Sequence, residues 1–214
     1  MRDAPVKKSL IALALAAAPF LANASEANGI GHTYAQLDYT YQDAGRPYLN
    51  GGTLSGSYAF NDNVFATASY GKTSDSYNER YSGARVRAKS EAWSLGVGFN
   101  TAIGSRADWV TQVAYADNDM SVRARDNTCA AISFCGDRLH LHGGKVSTGV
   151  LGRVTDQLTA NAYLGYEDYN HGYEGAAFAE FGAVYSFNRT WGVHTGLTLA
   201  EDSQTYSLGV RASF

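Results

Sequence analysis

Histidines beside carboxylates are the residues of this sequence that could perform acid–base chemistry. The candidates are His171 with Asp168 and Glu174, and His140 and His142 with Asp137. A catalytic site needs an acid, a base and a nucleophile that converge, and no nucleophile motif accompanies either group. The His-x-His pair offers a metal ion only two ligands. The sequence therefore predicts a protein that is not an enzyme and that has no metal and no cofactor.

The composition limits the class of protein. The chain has 214 residues, of which 45% are hydrophobic and 17% charged, with 23 glycines and a net charge of -3. So much apolar material can fill a core, which excludes disorder, and the length fits one domain. Nucleic-acid binding requires a clear excess of Lys and Arg, so no nucleic-acid partner is expected.

The first 24 residues have the pattern of an export signal. Arg2, Lys7 and Lys8 precede an apolar segment, which ends in Ala22-Asn23-Ala24. The apolar segment is shorter than the roughly 20 residues of a membrane-spanning helix, and its small-x-small end suits signal peptidase. We expect a signal peptide at 1–24 and one domain at 25–214, with a retained anchor as the alternative. Export to an oxidising compartment favours a disulfide between Cys129 and Cys135 over a zinc site.

Alternation of apolar and polar residues predicts β-strands along the exported part. Positions 206, 208, 210, 212 and 214 are Tyr, Leu, Val, Ala and Phe, whereas the positions between them are Ser, Gly, Arg and Ser. The same period recurs at Trp93, Leu95, Val97 and Phe99. Short turn sequences and longer segments separate the strands in alternation. We place ten strands near 31–42, 48–60, 63–73, 88–100, 107–118, 138–154, 157–168, 175–188, 190–200 and 204–214.

The polar face decides between a soluble sandwich and a membrane barrel. A sandwich would expose Lys and Glu on that face, but here it carries Gly, Ser, Thr and Asn, which suit the lumen of a narrow closed barrel. Aromatic residues gather at both strand ends: Phe60, Phe99, Trp109, Phe187, Trp191 and Phe214 at one, Tyr41, Tyr70, Tyr115 and Tyr166 at the other. Such aromatic girdles mark the two interfaces of a bilayer. The sequence predicts an all-β, closed antiparallel transmembrane barrel.

The sequence resembles small porin-like or OmpX-like bacterial outer-membrane β-barrel proteins, most of all the diffusible-signal-factor-regulated outer-membrane proteins of xanthomonads. The resemblance rests on the Ala22-Asn23-Ala24 end, on strand ends such as Tyr58-Ala-Phe60-Asn61, and on the terminal strand closing at Phe214. It implies that Phe214 is the signal read by the barrel assembly machinery. OmpX-like proteins have eight strands, so eight is the alternative to ten. The location expected is the bacterial outer membrane, with both termini in the periplasm.

Charged side chains fall on both faces of the predicted barrel. Strand parity directs one set into the lumen: Asp38, Asp108, Lys145, Arg153, Glu167, Glu180, His194 and Arg211. Asp108 and Arg153 begin and end neighbouring strands at the periplasmic end and could pair. The set either seals the interior, since about eight strands leave space only for side chains, or lines a narrow water-filled path.

A second set of bases shares parity with the lipid-facing residues: Lys72, Arg85, Arg87, Lys89, Arg123, Arg125 and Arg138. From Arg85 to Asn100 the strand would rise about 40 Å when tilted, beyond the ~25 Å apolar band. These bases would then reach lipopolysaccharide, whose phosphates arginine binds bidentately. A bulge at Gly143-Gly144 that scrambles the parity is the alternative.

The function predicted is non-enzymatic. Surface loops of the barrel would act in adhesion, envelope integrity or contact with a host or biofilm, with lipopolysaccharide contact on the outer wall. The second loop, with Tyr77, Arg80 and Tyr81, suits contact with extracellular glycans. The alternative is a narrow porin-like channel for small solutes, which planar-bilayer conductance would distinguish.

Overall fold

The computed structural model describes residues 29–45, 48–78, 85–124, 138–170 and 175–214. These residues form ten strands, which confirms the predicted count over the alternative of eight. The strands are β1 (Tyr34–Asp43), β2 (Tyr48–Ala59), β3 (Val64–Asn78), β4 (Arg85–Ala102), β5 (Ala107–Ala124), β6 (Arg138–Arg153), β7 (Leu158–Tyr169), β8 (Ala176–Ser186), β9 (Trp191–Ala200) and β10 (Ser203–Ser213).

Each strand pairs antiparallel with its neighbours in the chain, and β1 pairs with β10, so the sheet is a closed barrel. Closure removes the unpaired edges that an open sheet would expose. Four connections, at 60–63, 103–106, 154–157 and 187–190, are short and lie at one end, which also holds residues 29–33 and Phe214. We call this the turn end and the opposite end the loop end.

The alternation places apolar side chains on the outside of the barrel. Val97 is 58% exposed, Leu164 68% and Leu208 60%. In a water-soluble protein such side chains are mostly buried in the core. Exposed aromatic residues flank this apolar surface at both ends, with Phe60, Phe99 and Trp191 toward the turn end. Tyr70 and Tyr115 are their counterparts toward the loop end. The outward face therefore has the surface of a lipid-spanning barrel.

The barrel is taller on one side than on the other. Strands β3, β4 and β5 extend further toward the loop end than predicted: β3 ends at Asn78 rather than 73, and β5 at Ala124 rather than 118. They extend because the alternation continues beyond the apolar band in charged and hydroxyl residues, as the parity of Arg85, Arg87 and Arg123 indicates for β4 and β5. The register of β5 with β6 runs unbroken through Gly143 and Gly144, so the alternative of a bulge there is wrong and the parity holds.

An apolar cluster fills the barrel at its turn end. Phe65, Val110 and Tyr163 are buried together, and residues 29–33 lead into this region ahead of β1. Phe65 lies opposite Gly98 in the register of β3 with β4, and a Cβ at Gly98 would overlap the Phe65 ring. Glycine there is what lets the ring lie over the neighbouring strand on the inside of the barrel.

Several predicted features lie outside the described residues. They are the signal peptide at 1–24, the Cys129 and Cys135 pair, and the residues Arg80, Tyr81, Arg125, Asp137, His171 and Glu174. Among the residues that the structure does describe, no helix is long and apolar enough to cross a membrane.

Candidate functional site: the lumen and the outer wall

The strand register directs all eight charged residues of the predicted lumen set inward. Arg211 pairs with Gln36 and Gly192, Lys145 with Glu167 and Ala114, and Glu180 with Tyr163. All of these positions alternate with outward apolar residues. Asp38 and Asp108 are the most deeply buried of the eight, at 5% and 4% exposure. Charges buried so deeply are stable only with partners of opposite charge or hydrogen bonds.

A polar network around Asp38 runs along the inner face of three adjacent strands. The Asp38 carboxylate lies 2.8 Å from Nδ1 of His194 and accepts a hydrogen bond from the Gln36 amide at 2.5 Å. Arg211 donates through Nε to the Gln36 oxygen at 2.6 Å, and its guanidinium stacks 4.0 Å from the centre of the Tyr34 ring. The network joins β1, β9 and β10, so it ties together the strands at which the barrel closes.

His194 and Asp38 resemble the base and the orienting acid of a hydrolytic triad. A triad also needs a nucleophile hydrogen-bonded to the other ring nitrogen. No serine or threonine hydroxyl of the described residues forms a hydrogen bond with His194. Within the described part of the chain, the hydrogen-bond partners of His194 are Asp38 and Gln36.

Asp108 has a different partner from the one predicted. Its carboxylate lies 3.2 Å from Nε2 of His32, and the His32 ring stacks on Phe65 with centroids 4.7 Å apart. Among the described residues Arg153 forms no salt bridge with Asp108. Its guanidinium instead lies against Gly29, where a Cβ would overlap it. The correction has a physical reason: His32 precedes β1 and follows the lumen wall, so it reaches Asp108 from inside the barrel.

Lys145 spans the middle of the lumen. Its ammonium lies 3.1 Å from the Glu167 carboxylate and 4.7 Å from the centre of the Phe178 ring. Phe178 lies opposite Gly165 in the register of β7 with β8, and a Cβ at Gly165 would overlap the ring. The missing side chain at Gly165 thus lets the Phe178 ring lie over the neighbouring strand on the inside of the barrel, where its face meets the ammonium. We call Lys145, Glu167 and Phe178 the partition.

The partition separates two cavities. The one toward the loop end has a volume of about 360 Å³, and the one toward the turn end about 290 Å³; Lys145 and Phe178 line both. Glu180, His194 and Arg211 line the turn-side cavity, whereas Glu167 lines the loop-side one. We call them the turn-side chamber and the loop-side chamber. The lumen is thus filled at the turn end and divided at mid-height.

The outward face of β3 to β6 forms a wall above the loop-end aromatic girdle. Strand register arranges its side chains in rows. Nearest the girdle are Tyr70, Trp93, Asp117 and His142; then Lys72, Glu91, Asp119 and His140; then Ser74, Lys89, Ser121 and Arg138; then Ser76, Arg87 and Arg123; and last Asn78 and Arg85. Among the described positions, the two rows nearest the girdle contain acids, whereas every charged residue of the three upper rows is a base.

The three upper rows hold five bases, which we call the basic patch: Arg85, Arg87, Lys89, Arg123 and Arg138. At the described positions of these rows there is no acid. Arg87 lies directly opposite Arg123, an arrangement that destabilises a sheet unless an anion lies between them.

Lys72 differs from the other predicted lipopolysaccharide contacts. Its ammonium lies 2.6 Å from the Glu91 carboxylate, which also accepts a hydrogen bond from the Tyr70 hydroxyl. A hollow of about 520 Å³ beside it is lined by Lys72, Lys89 and Arg138 as well as by Glu91 and Asp119. Lys72 is therefore already neutralised by a neighbour, unlike the basic patch above it.

His140 lies between two carboxylates on the outside of the wall. Nδ1 is 2.7 Å from Asp119 and Nε2 is 3.4 Å from Asp117. The hydrogen bond with Asp119, and then the charge of Asp117, raise the pKa of His140 above its ordinary value. The three residues offer ligand atoms within 4.8 Å of one another, but both ring nitrogens face carboxylates, which is the arrangement of a protonated histidine.

We expect the stability of this corner to depend on pH. Because the folded-state pKa of His140 is raised, its contribution is fully present below about pH 6.5 and is lost as the pH rises through the folded value. An NMR titration of the histidine ring should give a midpoint above 6.5, and Asp119→Asn should lower it. Asp156→Asn, at a turn on the other end, should leave the midpoint unchanged. A midpoint at or below 6.5 in the unmodified protein would contradict this assignment.

Three features of the site were missed from the sequence: His32, Phe178 and Phe65. His32 lies in a Gly-rich segment without alternation. Phe178 and Phe65 are aromatic residues at strand positions that otherwise carry the inward-facing polar side chains. Each lies opposite a glycine of the neighbouring strand. An aromatic residue at an inward position, with a glycine opposite it on the next strand, is the sequence signal that could have predicted these two inward rings.

Comparison with known proteins supports the fold. No protein-family model matches the chain, and no curated protein matches it. The beta domain of the Bordetella autotransporter Brka is similar over 86% of this chain and 99% of that domain, at 14% identity and a TM-score of 0.52. The NanC porin is similar over 84% of this chain and 100% of that one, at 10% identity and a TM-score of 0.49. The translocator domain of the autotransporter NalP from Neisseria meningitidis is similar over 97% of this chain and 96% of that one, at 15% identity and a TM-score of 0.47. At these identities the likeness is one of fold, and the fold is that of bacterial outer-membrane β-barrels.

Proposed function

We propose that this protein is an outer-membrane β-barrel that acts through its exterior, holding lipopolysaccharide against its wall and presenting loops to the surroundings. Its tasks would be envelope integrity, adhesion, or contact with a host or biofilm. The observation that carries the proposal is the basic patch: five bases on the lipid-facing side, above the aromatic girdle, with no acid in their rows. At that height the groups available to them are headgroup phosphates.

The side chains of the basic patch are better suited to binding a phosphate group than to being solvated by water alone. The guanidinium groups of Arg87 and Arg123 repel each other across the strands, and a phosphate between them would accept hydrogen bonds from both. Arginine binds phosphate oxygens in a bidentate manner, whereas lysine contributes a point charge, as Lys89 would here. Charge-assisted bonds of this kind contribute about 1.5–3 kcal/mol each.

Replacement of Arg85, Arg87 and Arg123 by alanine should reduce lipopolysaccharide binding about tenfold or more, since the loss of even one such bond changes affinity about tenfold. The measurement is the lipopolysaccharide phosphate retained per purified barrel, together with the permeability of the outer membrane to a large antibiotic. A matched control replaces Arg106 and Arg189, two exposed bases at the turn end. Unchanged retention and unchanged permeability in the triple variant would exclude the proposal.

A narrow channel is the second candidate, and the two chambers favour it. They lie in line along the lumen and are separated only by the partition of Lys145, Glu167 and Phe178. Against it stand the turn-end cluster and the His32 contact with Asp108, which both lie across the lumen. Planar-bilayer recording distinguishes the candidates. Discrete openings would favour the channel, and their absence would favour action through the exterior.

Further parts of the proposal rest on the sequence alone. They are export by the signal peptide at 1–24, a disulfide between Cys129 and Cys135, periplasmic termini, recognition of Phe214 by the barrel assembly machinery, contact with extracellular glycans, and kinship with the diffusible-signal-factor-regulated proteins. The position of Phe214 supports the assembly signal. Its backbone nitrogen donates to the Thr33 carbonyl oxygen at 3.0 Å, so it ends the closing strand at the turn end.

A further inference from the structure

We propose that the loop-side chamber is a binding site for a neutral, hydroxyl-rich solute of monosaccharide size. The proposal goes beyond lipopolysaccharide contact, because it concerns the lumen and not the exterior. The chamber has a volume of about 360 Å³, which lies within the range of small-ligand pockets and equals roughly a dozen water molecules at ~30 Å³ each.

The polar groups that line the chamber are mostly hydroxyls. Seven are the side chains of serine or threonine, and a tyrosine hydroxyl and two amides join them: Thr40, Thr53, Thr73, Ser90, Thr198, Ser203, Thr205, Tyr169, Gln42 and Asn118. Each hydroxyl both donates and accepts, as does each hydroxyl of a sugar. The lining therefore matches a ligand that carries many donors and acceptors.

The charges of the lining cancel. Within the described part of the chain, Lys145 and Glu167 are the only charged residues that line the loop-side chamber, and they form a salt bridge at 3.1 Å. An anionic ligand would meet the Glu167 carboxylate, and a cationic one would meet the Lys145 ammonium. A neutral ligand meets neither penalty, and the ammonium still has protons to donate to it.

Some of the hydroxyls already bond to each other, and others do not. Thr40 and Thr53 share a hydrogen bond at 3.0 Å, and Ser90 donates to Asn118 at 2.7 Å. Thr198 and Thr205 lie directly opposite each other on β9 and β10, and neither has a side-chain hydrogen bond within the described part of the chain. These two hydroxyls form one polar side of the chamber, available to a ligand.

The floor of the chamber supplies an apolar surface. The Phe178 ring lies across Gly165 and lines the chamber from the turn-end side. A pyranose has hydroxyls around its edge and C–H groups on its faces, so an aromatic ring suits one face while hydroxyls surround the edge. The combination of a flat ring and a ring of hydroxyls specifies a cyclic sugar better than a linear polyol.

The test is a ligand-observed NMR titration of the whole barrel in lipid nanodiscs, free of detergents with sugar headgroups. D-glucose, D-galactose and D-mannose are the probes, and at least one should give saturable binding. Thr198→Val together with Thr205→Val should weaken that binding about tenfold or more, because valine keeps the shape and removes both hydroxyls. Ser203→Ala serves as a second variant if the double variant does not fold.

Thr195→Val is the matched control, since Thr195 lies on the same strand but faces outward opposite Leu208. It should leave the affinity unchanged. Three results would each overturn the proposal: no saturable binding of any of the three sugars, equal binding by the double variant, or tighter binding of glucuronate or glucose 6-phosphate than of glucose. The first would mean that the chamber holds only water.

Discussion

Replacement of Val97 by arginine is expected to lower the free energy of unfolding in lipid by about 2–4 kcal/mol. Val97 faces outward with 58% exposure, between Trp93 toward the loop end and Phe99 toward the turn end. This position lies near the middle of the apolar band, where a cation has no water and no partner of opposite charge. Urea unfolding of the barrel in lipid vesicles measures the loss.

The same substitution above the band should cost little. Gln204 also faces outward, opposite Asp43 and beyond Tyr206 at the loop end, so Gln204→Arg should change the free energy of unfolding by less than about 0.5 kcal/mol. The contrast between the two variants depends on lipid at one height and water at the other. If both variants were as stable as the unmodified protein, the outward face would be an aqueous surface.

Replacement of Phe65 by alanine should cost about 3–5 kcal/mol, as for other buried aromatic residues. Phe65 is 3% exposed, packs with Val110 and Tyr163, and stacks on His32. Its loss would leave a cavity at the turn end and would free His32, which the ring holds beside Asp108. The measurement is again urea unfolding in vesicles.

Phe65→Leu is the conservative control. It keeps most of the apolar volume and should cost less than about 1.5 kcal/mol. Both variants remove the stacking on His32. The difference between their free energies of unfolding therefore measures the cost of the cavity, and the cost of Phe65→Leu alone measures the loss of the ring contact. A cost below about 1 kcal/mol for Phe65→Ala would show that the turn-end cluster contributes little to the fold.

The sequence predicted the ten strands and their facing because the period of two is a direct property of strands, and lipid outside enforces it. It also directed Asp38, Lys145 and Arg211 inward by parity alone. Parity also indicated that β4 continues up to Arg85 and β5 to Arg123. The height of β3 was less accessible, because its polar alternation from Thr73 to Asn78 resembles a loop, and only the register with β4 shows it as strand.

Partners within the lumen could not be predicted from parity. Asp108 and Arg153 could pair because both lie at the same end of adjacent strands, but the partner that the structure places at 3.2 Å from Asp108 is His32, which comes from a segment with no strand period. Phe178 contradicts the rule that aromatic residues face lipid, since Gly165 opposite it leaves space inside. Such contacts depend on where the neighbouring strand has a glycine, and which residue that glycine faces is set by the strand register.

The most direct test of the account is whether the fold needs lipid. The denatured chain is diluted into plain buffer and, in parallel, into buffer with lipid vesicles, and its β-structure and trypsin resistance are followed. We expect a trypsin-resistant β-barrel with vesicles and aggregated or unstructured chain without them, since residues such as Leu164 and Leu208 would otherwise face water. A monomer in plain buffer with the same β-structure and the same resistance would contradict the account.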